Sequence, residues 1–388
     1  MDKKKVLIVT GGRAEYGLLY PVIKKVSKHK DLDLQLLVTG MHLKDEFGST
    51  YKEIEKEFVI DKKVDIPLDD DSAVGISESI SCAVSGFAKS FSELKPDILV
   101  VLGDRYEIFA AVTAAMVANI PIAHIHGGEI TEGAIDDAIR HSITKMSHLH
   151  FTSTNEYKNR VIQLGEDPKR VFNVGALGVE NIKNIKVLSR EEFEKSIDFK
   201  LTNKNILVTF HPVTLDKTSS KEQFNELLKA LDDLKDTNII FTKANSDTDG
   251  KIINSMIDEY VSKNPQKSVA FASLGMLRYF SALTYVDAVV GNSSSGIIEV
   301  PSFKKATINI GDRQKGRLQA GSVINSSCDY ADIKVAIDKG LSNEFNDSLV
   351  SIHNPYEGMN TSDNIIKEIV EVDLSNILKK KFWDISYE

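Results

Sequence analysis

The feature that most constrains this chain is an alternation that runs almost from end to end. Short, continuously apolar, β-branched runs are separated by amphipathic stretches of helical period. A strand that is apolar on both faces must be covered on both faces, so this pattern predicts βα units feeding parallel sheets with helices on either side. Strands are predicted at Val6 to Thr10, Leu34 to Thr39, Ile98 to Leu102, Ile122 to Ile125, His150 to Thr152 and Val171 to Val174. A second series follows at Ile206 to Phe210, Ile239 to Thr242, Val269 to Phe271, Ala288 to Val290 and Thr307 to Ile310. The two series are separated by Asn181 to Lys200, a charged and mostly helical stretch without a clear strand.

This places two doubly wound Rossmann-like domains at 1–185 and 186–365. The remaining 366–388 is read as C-terminal helices, Asn364 to Val372 and then Leu374 to Lys381, packing back on the first domain. The polar run Ser322 to Asp329 reads as loop. A length of 388 residues agrees with two domains, and 42% hydrophobic residues suffice for a core in each.

Charge and cysteine content narrow the function. The sum of 48 Lys and Arg against 56 Asp and Glu gives −8, which disfavours a nucleic-acid partner. Cys82 and Cys328 are far apart and outside any C-x-x-C pair, which fits a reducing cytosol. No run approaches the roughly 20 apolar residues of a membrane span, and the Lys-rich start leads directly into a strand rather than a signal segment. The expectation is a cytoplasmic protein without a membrane partner.

Ligands of open α/β sheets bind beyond the carboxyl ends of the strands, and those positions are polar here. The first series offers Gly11-Gly12-Arg13, Gly103-Asp104-Arg105 and His126-Gly127-Gly128-Glu129. The second offers His211-Pro212, Asn245, Gly291-Asn292-Ser293-Ser294-Ser295-Gly296 and Gly311-Asp312-Arg313. One cleft between the two domains is expected to collect them. Small residues from Asn292 to Gly296 let N–H groups and hydroxyls approach a phosphate, or simply cap the helix that follows. Arg13, Arg313 and Arg317 would add positive charge for a diphosphate, and Glu299 could accept from ribose hydroxyls.

Neither G-x-G-x-x-G nor a P-loop is present, so dehydrogenase and P-loop readings fail. His124 with His126, and His148 with His150, share strand faces, but no third ligand can be named and no metal or cofactor is predicted. Asp104, Glu129 and the helical Asp136-Asp137 and Arg140-His141 could form an acid–base cluster. The alternatives are an Asp104–Arg105 ion pair and aspartates that merely favour a helix N-terminus. His211, held extended by Pro212, is aimed outward from a strand end.

In order along the chain, Thr10-Gly-Gly-Arg-Ala-Glu-Tyr16, Gly103-Asp-Arg105, His124-Ile-His-Gly-Gly-Glu129, Ile135-Asp-Asp-Ala-Ile-Arg-His141, Phe210-His-Pro-Val213, Gly291-Asn-Ser-Ser294 and Gly311-Asp-Arg-Gln314 resemble one family. It is that of the hydrolysing UDP-N-acetylglucosamine 2-epimerases of sialic-acid-type biosynthesis, whose fold resembles the two-Rossmann-domain GT-B architecture.

The resemblance implies anti elimination of UDP from UDP-N-acetylglucosamine, then hydration of a 2-acetamidoglucal to free N-acetylmannosamine, in a dimer or tetramer. It implies catalytic Asp104, Asp136 and His211, a diphosphate held by Arg13, Ser293, Ser294 and Arg313, a ribose held by Glu299, and Asn245 on the sugar side. The remaining acid–base role is expected of His126 or of Glu129 with the aspartates, and Arg105, Asn292 and Arg317 complete the expected UDP-sugar site. His126 stands where sialic-type members carry Glu, and Gly17 where some carry Ser. The first departure opens the choice of sugar to UDP-N,N'-diacetylbacillosamine of the legionaminic type. A GT-B glycosyltransferase and a non-catalytic UDP-sugar binder are the readings of another class.

Overall fold

A computed structural model describes residues 3–132, 135–213, 219–244 and 250–385. They form two compact units. The first comprises Met1–Glu129, Asp136–Asn181 and Tyr356–Glu388, and the second comprises Ile130–Ile135 and Ile182–Pro355.

In the first unit the strands are β1 Lys4–Thr10, β2 Leu32–Thr39, β3 Lys62–Val64, β4 Ile98–Leu102, β5 Ile122–Ile125, β6 Leu149–Thr152 and β7 Val171–Asn173. They form one sheet in the order β3-β2-β1-β4-β5-β6-β7, and every pairing is parallel. The sheet is apolar on both faces because successive residues of its strands enter opposite cores. Val6 and Ile8 pack with Leu36, Val100 and Ile125 on one face, whereas Leu7 and Val9 pack with Leu99, Val101 and Phe87 on the other. β3 escapes sequence reading because it has only three residues and two of them are lysines.

In the second unit the strands are β8 Lys204–Thr209, β9 Thr237–Thr242, β10 Ser268–Phe271, β11 Ala288–Gly291, β12 Ala306–Ile310 and β13 Val323–Ser326. Their order is β10-β9-β8-β11-β12-β13, again all parallel. β13 corrects the expectation of a loop over Ser322 to Asp329. Edge pairing to β12, from Thr307 with Val323 to Ile310 with Ser326, makes a strand of a run whose polar residues offered no apolar signal.

Of the two helices expected at the C-terminus, one forms. The helix Thr361–Glu371 is present and places Ile365, Ile366 and Ile369 in the core of the first unit. Leu374 to Lys381 is not helical. Its helix-like spacing is overridden by tertiary partners. Ile377 enters the core, and the Lys380 ammonium donates to the carbonyls of Lys145 and Ser147 and to the Glu166 carboxylate.

Each sheet reverses its winding once, between β1 and β4 in the first unit and between β8 and β11 in the second. The loops that leave neighbouring strands there diverge to opposite faces, which opens a crevice at their carboxyl ends. The polar motifs after β1, β4, β8 and β11 flank these two points, and those after β5 and β12 follow the next strands along.

Candidate active site

In the first unit β4 delivers Gly103-Asp104-Arg105, β5 delivers His126 to Glu129, and the helix Asp136–Met146 delivers Arg140. Arg140, 3% exposed, binds the others together. One guanidinium nitrogen donates to the His126 carbonyl at 2.8 Å and lies 3.9 Å from Glu129 Oε2, and the other forms an ion pair with Asp104. His126 sits at φ +65, in the left-handed region that a non-glycine residue rarely adopts. Its Nδ1 is 3.3 Å from Glu129 Oε1, which also accepts from the Ser153 hydroxyl at 2.9 Å.

Asp104 therefore pairs with Arg140 rather than with Arg105, and Arg105 donates instead to Glu107 at 2.7 Å. Asp136 opens its helix, and Asp137 lies 3.5 Å from His141. Arg13 at the end of β1 forms a 2.6 Å ion pair with Glu53. Glu15, two residues on, is buried and accepts from the Gly11 N–H at 2.9 Å. Burial, against the opposing Gly11 hydrogen bond and with help from the nearby Glu107 charge, pushes its carboxyl up to about 8.

In the second unit Asn292, fully buried after β11, holds His211 after β8. Its carbonyl oxygen accepts from the His211 N–H and its amide donates to the His211 carbonyl, both at 2.7 Å. The Asn292 carbonyl accepts in turn from Gln314 at 2.8 Å and from Arg313 at 3.2 Å. Gly291 is required at this junction. Its φ is +136, and a Cβ there would lie 1.9 Å from the Thr209 carbonyl oxygen of β8. Ser293 caps the short helix Ser294–Ile298, and Glu299, 8% exposed, follows it. Tyr279 bonds Ser295 at 2.5 Å, and burial followed by the Glu299 charge raises its hydroxyl far above neutrality.

Arg317 donates to the Ile130 carbonyl at 2.8 Å and to the Thr131 hydroxyl at 3.2 Å, so it fastens that segment into the second unit. Asn245 lies outside the described residues. Gln314 and Glu15 lie in the motifs without a role expected from sequence, and Arg140, expected as a member of the acid–base cluster, is here the group that joins it. The available signal for Arg140 was its place one turn beyond Asp136 on the same helix face.

The model of the UDP-N-acetylglucosamine 2-epimerase family matches residues 24–370. A relative from Campylobacter jejuni, named GDP/UDP-N,N'-diacetylbacillosamine 2-epimerase (hydrolyzing), is 46% identical over 99% of this chain and 100% of its own. The polysialic acid biosynthesis protein P7 of Escherichia coli is 42% identical over 98% of each chain. Among solved structures, the UDP-GlcNAc 2-epimerase of Neisseria meningitidis bound to UDP-GlcNAc shares the fold with a TM-score of 0.78 at 18% identity, covering 95% of this chain and 100% of that one. With two parallel-sheet α/β domains of the GT-B type and a family match spanning most of its length, the chain belongs to the UDP-N-acetylglucosamine 2-epimerase family.

Proposed function

We propose that this enzyme removes a nucleoside diphosphate from a UDP-linked 2-acetamido sugar by elimination across C1 and C2. Water then adds to the glycal and releases the free 2-epimer. The observation that carries the reading is the assembly of Asp104, His126 and Glu129 around Arg140 at the carboxyl ends of β4 and β5, beside the switch point. The C2 hydrogen is weakly acidic, so its removal has to accompany departure of the diphosphate, and both ends of the bond need a partner.

Asp104 is assigned as acceptor of the C2 proton, with Arg140 balancing its charge. The His126–Glu129 pair and Asp136 handle the remaining proton transfers. An imidazole offers both a donor and an acceptor nitrogen, which suits position 126 to this role. In the second unit, Ser293, Ser294 and Arg313 are assigned to the diphosphate, Glu299 to the ribose, and His211 to the sugar. No helix among the described residues is long and apolar enough to cross a membrane, and the reading places the enzyme in the cytoplasm as a homo-oligomer.

UDP-N,N'-diacetylbacillosamine is the first choice of substrate, on the strength of the full-length similarity to the Campylobacter enzyme. UDP-N-acetylglucosamine is the second reading, favoured by the similarity to the polysialic acid protein. The test is incubation in deuterated water with UDP-N,N'-diacetylbacillosamine, its GDP analogue and UDP-N-acetylglucosamine, with products identified by NMR. A free 2-epimer carrying deuterium at C2 is expected from one of them. Retention of the original C2 hydrogen rules out the elimination, and binding without release of free sugar returns the transferase or binder reading.

A further inference from the structure

His124 lies in β5 two residues before His126 and is fully buried. Its Nε2 is 2.8 Å from the Gly103 carbonyl oxygen, and its Nδ1 is 3.1 Å from the Thr144 hydroxyl. A carbonyl oxygen only accepts, so Nε2 carries the ring proton and Nδ1 accepts from Thr144. The three segments that meet at this ring are those that carry the proposed acid–base groups. Gly103, at φ +78, immediately precedes Asp104. Thr144 lies one turn beyond Arg140 on the same helix face. The Gly127 backbone, next to His126, covers the pair closely enough that a Cβ there would lie 3.0 Å from Thr144 Oγ1 and 3.1 Å from His124 Nδ1.

We infer that His124 is a positioning residue: by bonding the Gly103 carbonyl and the Thr144 hydroxyl at once, it fixes the turn that carries Asp104 against Arg140. The inference rests on the reading of Asp104 as an acid–base group. Without the ring, the Gly103 carbonyl loses its buried donor in a loop whose glycine is the least restrained residue, and Asp104 gains freedom relative to Arg140. The ring does not shuttle protons. Burial, with the nearby Arg140, His150 and His126 adding to it against the Gly103 hydrogen bond, lowers its pKa to about 3, so it stays neutral in the working range.

The test compares His124→Leu, His124→Gln and Thr144→Val with the wild-type enzyme, using the substrate on which turnover is found. A displaced reacting group costs up to about a hundredfold, so His124→Leu is expected to lower kcat by roughly tenfold to a hundredfold while KM and UDP affinity stay within about twofold. His124→Gln, which keeps an N–H donor, recovers most of that loss, and Thr144→Val lowers kcat by a smaller factor. A long-range ¹⁵N–¹H spectrum of the wild-type protein shows His124 as the neutral Nε2–H tautomer throughout pH 5 to 8.

Wild-type kcat in folded His124→Leu, equal loss in His124→Leu and His124→Gln, or a ring that titrates in that range overturns the positioning role. If His124→Leu does not fold, the spectrum and the His124→Gln and Thr144→Val kinetics decide: a protonated Nδ1, or Thr144→Val at the wild-type rate, overturns it. Asp104→Asn, assayed alongside, separates the two claims. Wild-type turnover in that variant removes the acid–base reading itself, whereas a slow Asp104→Asn beside a fast His124→Leu removes only the inference.

Discussion

Asn292 and His211, one at the end of β11 and the other at the end of β8, exchange two hydrogen bonds of 2.7 Å in which a single side-chain amide satisfies both backbone groups of the histidine. The arrangement sets the direction in which His211 leaves the sheet. Asn292→Asp keeps the acceptor for the His211 N–H but turns the donor into a second acceptor facing the His211 carbonyl. The expected outcome is a stability loss of about 1 to 3 kcal/mol by denaturant titration, with kcat reduced more than UDP affinity. Asn292→Asp with wild-type kcat removes any dependence of turnover on this clamp.

Arg140 has a fork geometry that lysine does not reproduce, because it contacts Asp104 and the His126 carbonyl through separate nitrogens. Arg140→Lys is therefore expected to cost at least about tenfold in kcat, and Arg140→Met about a hundredfold or more. Steady-state kinetics checks the ranking. Equal kcat in Arg140→Lys and wild type contradicts the hub role.

Glu15 predicts a pH dependence of stability. Its carboxyl keeps its proton to about pH 8 in the folded chain, against an ordinary value of 4.5, so the folded state binds more protons across that interval. Its contribution is fully present below about pH 4.5 and is lost as pH rises through 8. Glu15→Gln carries no such charge and is expected to be more stable than wild type at pH 9 by on the order of 1 to 3 kcal/mol, with little difference at pH 5. Thermal melts at both values decide it.

Glu166 has the opposite sign. Burial alone would raise its carboxyl, but hydrogen bonds from His150, Lys145 and Lys380 outweigh that and hold it down at about 2. Its stabilisation is present above about pH 4.5 and is lost as pH falls toward 2. Lys380→Met removes one of the three donors. It is expected to lower stability at pH 7 by roughly 1 to 3 kcal/mol, to reduce the acid-dependent part of the unfolding curve, and to increase proteolysis of the segment after Glu371.

Arg313 contacts the Asn292 carbonyl at 3.2 Å beside Ser293. If it also meets the diphosphate, Arg313→Ala should weaken UDP binding by about 1.5 to 3 kcal/mol in calorimetry. Unchanged affinity removes it from the nucleotide site.

Eleven of the strands were legible, since a strand buried on both faces must be apolar at every position and such runs stand out against charged helices. β3 and β13 were not, because a short edge strand derives its stability from its neighbour's hydrogen bonds and needs no apolar run of its own. The strand-end motifs were legible for a related reason. Gly103-Asp104-Arg105 after β4 and Gly291-Asn292-Ser293 after β11 are polar clusters directly behind apolar runs, where they stand out.

By itself, then, the sequence determined the α/β alternation, the polar character of the strand ends and the family to which the chain belongs. Only the tertiary structure decided the partnerships: Arg140 rather than Arg105 on Asp104, the amide of Asn292 on His211, the imidazole of His124 on Gly103, and Lys380 drawn out of a helical pattern onto Glu166. Periodicity reports which face of an element is buried and is written locally along the chain. The pairing of buried polar groups depends on which loops the sheet order brings together, and parallel crossovers bring together residues that are distant in sequence.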